Sequence, residues 1–544
     1  MTTLIQDSFN GIAPKIDKRK LAGDLAVIAE NCAFDHGNLR ALRWPEGIDY
    51  TLTAATKTVS AFNDSWIAFD DRRSFVEKGP VINDTYKRWY AAGGDLTYPQ
   101  VGYLGFSYRL GLPRPPTPTI GAVPNPPDEN PETLLEVETI HYVVTYVDVF
   151  GHEGPPSDPT VGVDRYRDDS VVLTLPTVAT GNYALGSGAK FRIYRSNTGT
   201  QASYFQYVAQ MPITSPSFND TVPNSELQEL LPTATWLGPP DDNTALWPDG
   251  PLEQIAMGPN GIMAGYAGRT IYFCEPFLPH AWPAEYTIPL SADIQAIVWI
   301  SSGLLVVTNE MPALISGTHP ASMALFIPEQ GWPCDSKYSV VDMGGWAIYS
   351  SPEGLVGVEG QTFQLLTKEL VDRRAWSQLA PAGGVAGNSE GRYVYFFDDD
   401  AGYQGSIIFD IGAGKGALTT STIWSDVAYS DPIERRLMIK DEINELAEFD
   451  AGLEMTYTWR SKYVVLGEPT NFAYLEVVAN EYPVSVTLKA GADWGAIDTV
   501  FDIAVAGRFT SLPSGFEYDH WQFEVSDDKE LVFVGLYEDL TEAG

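Results

Sequence analysis

Between residues 262 and 452 the chain repeats one pattern five times: an apolar strand, a tight turn, then a second apolar strand. The copies are IMAGYAGRTIYFCE from Ile262, LLVVTNEMPALISG from Leu304, WAIYSSPEGLVGVEG from Trp346, RYVYFFDDDAGYQGSIIFDI from Arg392 and RRLMIKDEINELAEFDAG from Arg435. Their starts lie 42, 42, 46 and 43 residues apart. A lone hairpin is barely stable in water, so one that recurs at a fixed interval needs its neighbours to complete a core. A four-stranded propeller blade takes about 40 to 50 residues, and the spacing predicts five blades. A further hairpin, WIAFDDRRSFVEKG from Trp66, raises the expectation to a β-propeller of about six blades. Closing such a ring removes most exposed strand edges. Ordinary hairpins in a stack of sandwiches are the alternative arrangement.

Composition agrees with a mainly β chain. The 28 Tyr, 24 Phe and 14 Trp favour strands, and the 49 Gly and 39 Pro supply turns. One short N-terminal helix is expected in KLAGDLAVIAENCAF, where Leu21, Leu25, Ile28 and Ala29 share a helical face. At 544 residues several domains are expected. Residues 113–131 are dense in proline and read as an extended boundary segment.

Beyond that boundary, YVVTYVDV, SVVLTLP, KFRIYRS and SYFQYVAQMP follow at the spacing of a small sandwich. Through Tyr146, Gly151, Glu153 and the FRIYRS strand this block resembles a fibronectin type III domain. The expected organisation is an arm and helix over 1–36, a first propeller portion over 37–112 and the linker over 113–135. The fibronectin III-like insertion follows over 136–236, the remaining blades over 237–453 and a separate C-terminal β-module over 454–544.

Lys plus Arg is 34 against 71 for Asp plus Glu, a net charge of −37. Such a field repels nucleic acid and excludes a sequence-reading role. Three cysteines, far apart and odd in number, do not make a disulfide framework or a structural zinc site. No stretch approaches the roughly 18 apolar residues of a membrane span, and the first residues lack a signal-peptide pattern. The expectation is a soluble chain without membrane insertion.

No motif for chemistry survives inspection, and neither catalytic residues, metal ligands nor cofactors are assigned. Gly387 to Gly391 fits G-x-S-x-G, but a strand rather than a helix follows, so a turn is expected. GAGKGA, Gly412 to Ala417, lacks the first glycine and the hydroxyl of a phosphate loop, with Phe409 and Gly416 at those positions. Asp398, Asp399 and Asp400 lack the twelve-residue calcium pattern and read as an acidic hairpin tip. His36, His141, His152, His280, His319 and His520 are scattered singly. Glycosidase chemistry on a propeller needs only Asp, Glu, Tyr and Arg, which spacing does not exclude, although the sialidase box S-x-D-x-G-x-x-W does not occur.

Three segments carry a second resemblance. They are FNGIAPKIDKRKLAGDLAVIAENCAFDHGNLRALRWP near the start, GPVINDTYKRWYAAGG with Gly79, Pro80, Asp84, Arg88 and Tyr90, and the ending from TWRSKYVVLGEPTNF to FTSLPSGFEYDHWQFEVSDDKELVFVGLYED. In this order they resemble the tail nozzle proteins of short-tailed bacteriophages, also called tail tubular protein B, and related phage stabilisation proteins. The resemblance implies a structural virion protein rather than an enzyme, assembled in the bacterial cytoplasm. It implies a homo-oligomeric ring of six copies, joined to a tail adaptor and to fibres or spikes, through which DNA passes without sequence-specific binding. An acidic lumen would repel phosphates; the charge equally serves solubility. A tail-tip, hub or fibre-attachment protein of another phage type is one alternative, and a propeller glycan-binding protein or glycosidase is another.

The WRSK strand belongs to the last of these segments. Alternation places Trp459, Ser461 and Tyr463 on one face and Arg460 and Lys462 on the other. In so acidic a chain the two cations are candidate contacts to acidic partners in the same or a neighbouring subunit.

Overall fold

Runs rich in Val, Ile, Tyr and Phe, punctuated by Gly, Asn and Asp, favour extended chain and tight turns. The computed structural model is accordingly mainly β. It describes residues 3–34, 37–63, 65–76, 79–103, 105–128, 136–198, 203–399, 401–412, 417–491 and 499–539. His36, Asp400, most of the GAGKGA turn and the end of the proline-rich linker lie outside these. The chain divides into two units, Met1–Asp71 with Val298–Ile315 and Phe326–Gly544, and Arg72–Ile297 with Ser316–Leu325.

In the unit built on Arg72–Ile297, Arg73–Val76, Trp89–Gly93, Gln100–Tyr103 and Phe106–Arg109 form a four-stranded antiparallel sheet. Gln254–Met257, Met263–Ala267, Thr270–Phe273 and Thr287–Pro289 form a second. The two share a core that includes Tyr90, Val101, Trp247, Ile255, Met263 and Trp282. Between them in sequence lies a sandwich. Tyr142–Val147, Lys190–Thr198 and Ser203–Pro212 make one of its sheets, and Thr119–Ala122, Val171–Thr174 and Ser217–Asp220 the other. Tyr142, Val144, Tyr146, Leu173, Phe191 and Ile193 fill its interior. The proline-rich segment is therefore part of this domain rather than only a spacer. Thr119–Ala122 is an edge strand, the one sheet position that tolerates flanking prolines.

The second unit holds three of the repeated hairpins within four-stranded or longer sheets: Ala347–Ser351 with Gly354–Glu359, Arg392–Asp398 with Gln404–Asp410, and Leu437–Lys440 with Glu445–Glu448. Leu304–Val306 pairs with Ala313–Ile315 in the same unit. The expected hairpin from Trp66 does not form. Ser65–Phe69 pairs back on Thr58–Phe62, whereas Arg73–Val76 pairs forward with Trp89–Gly93. Asn63, at φ 49°, supplies the left-handed residue a tight hairpin turn requires, and none of Asp70, Asp71 or Arg72 adopts one.

The N-terminal helix is also corrected. Ala26–Glu30 is a strand, parallel to Ala417–Ser421 on one side and antiparallel to Tyr457–Ser461 on the other. A short helix is marginal alone, and two waiting sheet edges with Ala26 and Ala29 buried between them outcompete it. Among the described residues the α-helix is instead Arg373–Leu379, where the Asp372 side chain accepts the Ala375 N–H at 2.8 Å and Trp376 enters the core.

The same strand corrects the separateness of the C-terminal module. The sheet of Val385–Ser389, Arg392–Asp398, Gln404–Asp410 and Ala417–Ser421 continues through Ala26–Glu30 into Tyr457–Ser461, Tyr518–Asp527, Val484–Gly491 and Thr499–Val505. Two more N-terminal strands complete sheets made of distant segments: Thr3–Gln6 pairs with Leu531–Tyr537 of the C-terminal portion, and Glu46–Thr51 pairs with Glu445–Glu448 of the last repeated hairpin.

Candidate functional site

A compact arrangement of titratable groups forms where the GPVINDTYKRWY loop meets the sandwich turn after Tyr142–Val147. Positive φ at Asn83 and Lys87 curls the loop so that Asp84 faces Arg88. The Asp84 carboxylate accepts Arg88 Nε–H at 2.7 Å and the backbone N–H groups of Tyr86 and Arg88 at 3.1 and 3.2 Å. Burial works against its ionisation, but these donors outweigh it and hold the carboxyl below its ordinary value. Tyr90 lies beneath, its hydroxyl pushed up to about 12 by burial, and a Cβ on Gly79 would stand 3.1 Å from its ring.

Arg88 then reaches the sandwich turn Asp148 to Glu153. Its guanidinium lies 2.6 Å from Nε2 of His152, and Nδ1 of His152 lies 3.2 Å from Asp148. A guanidinium can only donate, so Nε2 accepts and the ring proton sits on Nδ1, facing the carboxylate. Asp148 also ties its own turn, accepting the N–H groups of Phe150 and His152 at 2.9 and 2.8 Å around Gly151 at φ 86°. His280 stacks on His152, ring centres 4.2 Å apart and planes 14° from parallel, with Trp236 edge-on at 5.9 Å. Both ring nitrogens of His280 are buried without a well-formed hydrogen bond. Burial, reinforced by His152 and Arg88, pushes its pKa well below 6.5.

This constellation stacks a buried imidazole, His280, on a half-buried one, His152, and fastens the sandwich turn to the first hairpin sheet. It offers no exposed nucleophile. Spacing in sequence gave no hint of the pairing, since His152 and His280 are brought together only by the fold. The nearest legible signal was the Asp84, Arg88, Tyr90 pattern.

The strand carrying Arg460, Tyr457–Ser461, lies in the other unit; it ends before Lys462 and Tyr463, so the expected alternation stops at Ser461 and both later residues are half-buried outside the strand. Tyr457, Trp459 and Ser461 are buried, while Thr458 and Arg460 alternate to the half-exposed side. Arg460 Nε–H pairs with Glu524 directly opposite it, and Lys489 Nζ reaches the same carboxylate at 2.7 Å. Burial resists the charge on Glu524, yet Lys489 and Arg460 keep its pKa below 4.5. Lys462 Nζ donates to the carbonyl of Leu21 at 3.2 Å, a neutral acceptor.

The remaining motifs are turns or closed core. Glu390 at φ 53° and Gly391 at φ 88° form the two-residue turn between Val385–Ser389 and Arg392–Asp398, with Ser389 buried at its base. Asp399 accepts the N–H groups of Ala401 and Tyr403 at 2.9 and 2.7 Å, closing its hairpin. Among the described residues no group of three His, Cys, Asp or Glu side chains is placed to hold a metal ion. Cys32, Cys274 and Cys334 are buried, and burial raises each thiol's pKa. No helix among the described residues is long and apolar enough to cross a membrane.

No family model and no curated protein matches the chain. Among solved structures it is similar to a glycoside hydrolase family 43 arabinoxylan arabinofuranohydrolase from Bacillus subtilis at 9% identity, covering 97% of this chain and 99% of that one, with a TM-score of 0.16. It is similar to Trypanosoma rangeli sialidase at 8% identity over 99% and 96%, TM-score 0.19. A puromycin-hydrolysing peptidase from Mycobacterium tuberculosis aligns at 11% identity over 84% and 61%, TM-score 0.24. Superpositions this loose carry neither an activity nor a blade count to this chain.

Proposed function

We propose that the chain is a structural subunit of a phage tail nozzle, its four-stranded sheets serving as the blades of a propeller of about six. Six copies form a ring that binds a tail adaptor on one side and fibres or spikes on another, and DNA leaves through the acidic channel. The observation that carries the reading is where the scarce cations go. Arg88, Arg165, Arg192, Arg195, Arg392, Lys440 and Arg460 are each tied to a carboxylate within the chain. They serve as internal clamps, while the acidic excess of the chain disfavours phosphate binding. Asp84, Arg88 and Tyr90, which carry part of the resemblance, likewise build a joint. Mass photometry of the purified chain, alone and mixed with a candidate tail adaptor from the same genome, tests this. A hexameric mass is expected, and a chain that stays monomeric with the adaptor present overturns it.

A second reading, a propeller-type glycan-binding protein or glycosidase, is favoured by one observation: a cavity of about 430 Å³ whose walls include Tyr98, Tyr183 and Trp247 beside Asp241.

A further inference from the structure

We propose that this cavity is a binding site for an uncharged sugar, one or two pyranose rings in size. The inference rests on the glycan-binding reading and is independent of ring assembly. The cavity lies within the unit of Arg72–Ile297, and its volume of about 430 Å³ falls in the range of about 300–1,000 Å³ typical of small-molecule sites.

Its chemistry selects the ligand. Arg109 lies over the Tyr98 ring with 3.9 Å to the centroid, and 5.5 Å from that of Tyr183. Its guanidinium forks onto Asp242 with two bonds of 2.8 Å and reaches Asp241 at 3.2 Å. Arg109 thus stands against Asp241 and Asp242, and Arg114 against Asp158 at 2.8 Å, so each guanidinium at the cavity already has a carboxylate partner. An incoming phosphate or carboxylate would meet a guanidinium already engaged by two carboxylates. An incoming cation would find the Tyr98 face already covered by one. An uncharged polyol needs neither a free guanidinium nor the Tyr98 face: its hydroxyls can donate to the remaining lone pairs of Asp241, and its C–H face suits the Tyr183 ring.

The two carboxylates are also unlike. Burial raises the pKa of Asp241, whereas the Arg109 fork lowers that of Asp242. Asp242 is thereby the fixed partner that orients Arg109, leaving Asp241, which also accepts the Asn243 N–H at 3.0 Å, to face a ligand. The walls are stiff. Pro113 and Pro239 line the cavity, and Gly111, at φ 97°, packs so closely that a Cβ would stand 2.6 Å from the Pro239 ring. A preformed wall lowers the ordering cost of binding.

The test is saturation-transfer NMR and calorimetric titration of the full chain with glucose, galactose, mannose, N-acetylglucosamine, maltose and lactose, with inorganic phosphate and sialic acid as charged probes. At least one neutral sugar is expected to bind in the millimolar range or tighter, at or below about −4 kcal/mol. Asp241→Asn keeps the shape and the Arg109–Asp242 fork, and Tyr183→Ala removes one wall. Each is expected to weaken binding about tenfold or more, roughly 1.4 kcal/mol, with the melting temperature of the Asn variant unchanged. If Tyr183→Ala does not fold, Asp241→Asn alone decides. The proposal is overturned if no neutral sugar binds, if binding ignores Asp241→Asn, or if only phosphate or sialic acid binds. A negative titration leaves the ring measurement standing, and a monomeric chain leaves this site standing.

Discussion

The indole N–H of Trp459 donates to the main-chain carbonyl of Asn10 at 3.0 Å, across 449 positions of sequence. Phe9 packs edge-on against the same indole at 5.0 Å, and Phe523 lies tilted against it at 5.6 Å. The first residues of the chain are thus held by the strand that opens its C-terminal portion, with Trp459 and Phe9 both buried and Asn10 half-buried.

Trp459→Phe should therefore cost more than lost area. It leaves the Asn10 carbonyl without its buried donor, about 1–3 kcal/mol. Trp459→Ala adds a cavity and should cost about 3–5 kcal/mol. Urea unfolding followed by tryptophan fluorescence measures both, and equal midpoints for wild type and the Ala variant would show that the arm is not held here.

Stability should fall in mild acid because of His280. Its folded pKa lies well below 6.5, so below pH 6.5 the unfolded chain binds a proton that the folded chain refuses. The contribution is fully present above pH 6.5 and is lost as pH falls, by up to about 1.4 kcal/mol per pH unit. Burial acts first, and His152 stacked on the ring and Arg88 both add to it against a charge there, outweighing the opposite effect of the Glu153 backbone. His280→Phe keeps the stack and removes the proton site. Urea midpoints at pH 7, 6 and 5 should converge for this variant and diverge for wild type; parallel lines reject the account. Glu524 and Asp84 act in the same direction at lower pH, since their depressed values keep stabilisation above about 4 and lose it below.

In the sandwich, Arg195 and Asp220 are both wholly buried and bonded to each other, and Tyr142 donates its hydroxyl to Asp220 at 2.7 Å. Asp220→Asn strands a guanidinium in the core and should cost about 3–5 kcal/mol. The joint change Arg195→Met with Asp220→Leu removes both charges and should cost less than the single change, as for other buried pairs replaced by apolar groups. Calorimetric melting of the three proteins decides, and a double variant less stable than Asp220→Asn would contradict the argument.

The hairpins were legible because each is a local object: two apolar strands and a turn whose residues tolerate positive φ, as at Glu390 and Gly391. The strands of the sandwich were legible for the same reason. What the sequence did not disclose is non-local. Ala26–Glu30 has a helical apolar pattern, and only the edges of Ala417–Ser421 and Tyr457–Ser461, some 400 residues away, make it a strand. The hairpin at Trp66 failed because apolar alternation names strands but not their partners; the turn at Asn63 does that. Likewise Arg88, His152 and His280 come from three distant segments, and Tyr98, Tyr183 and Trp247 from three more. A site assembled from single residues on separate loops leaves no spacing to read.

The cationic side of the WRSK strand yields the last prediction. Arg460 and Lys489 converge on Glu524 across three adjacent strands, so Arg460 already has an acidic partner in its own chain. Arg460→Gln loses a hydrogen bond to a charged group and should cost about 1.5–3 kcal/mol of stability. Lys462→Gln gives up a bond to a neutral carbonyl at a half-buried position and should cost about 0.5–1.5 kcal/mol. If the clamp is internal, both variants keep the oligomeric mass of the wild type in mass photometry while the Arg460 variant unfolds at lower urea. An Arg460→Gln protein with unchanged urea midpoint and a dissociated assembly would instead place the partner of Arg460 in a neighbouring subunit. The two measurements separate a strand that holds its own sheet together from one that holds a ring together.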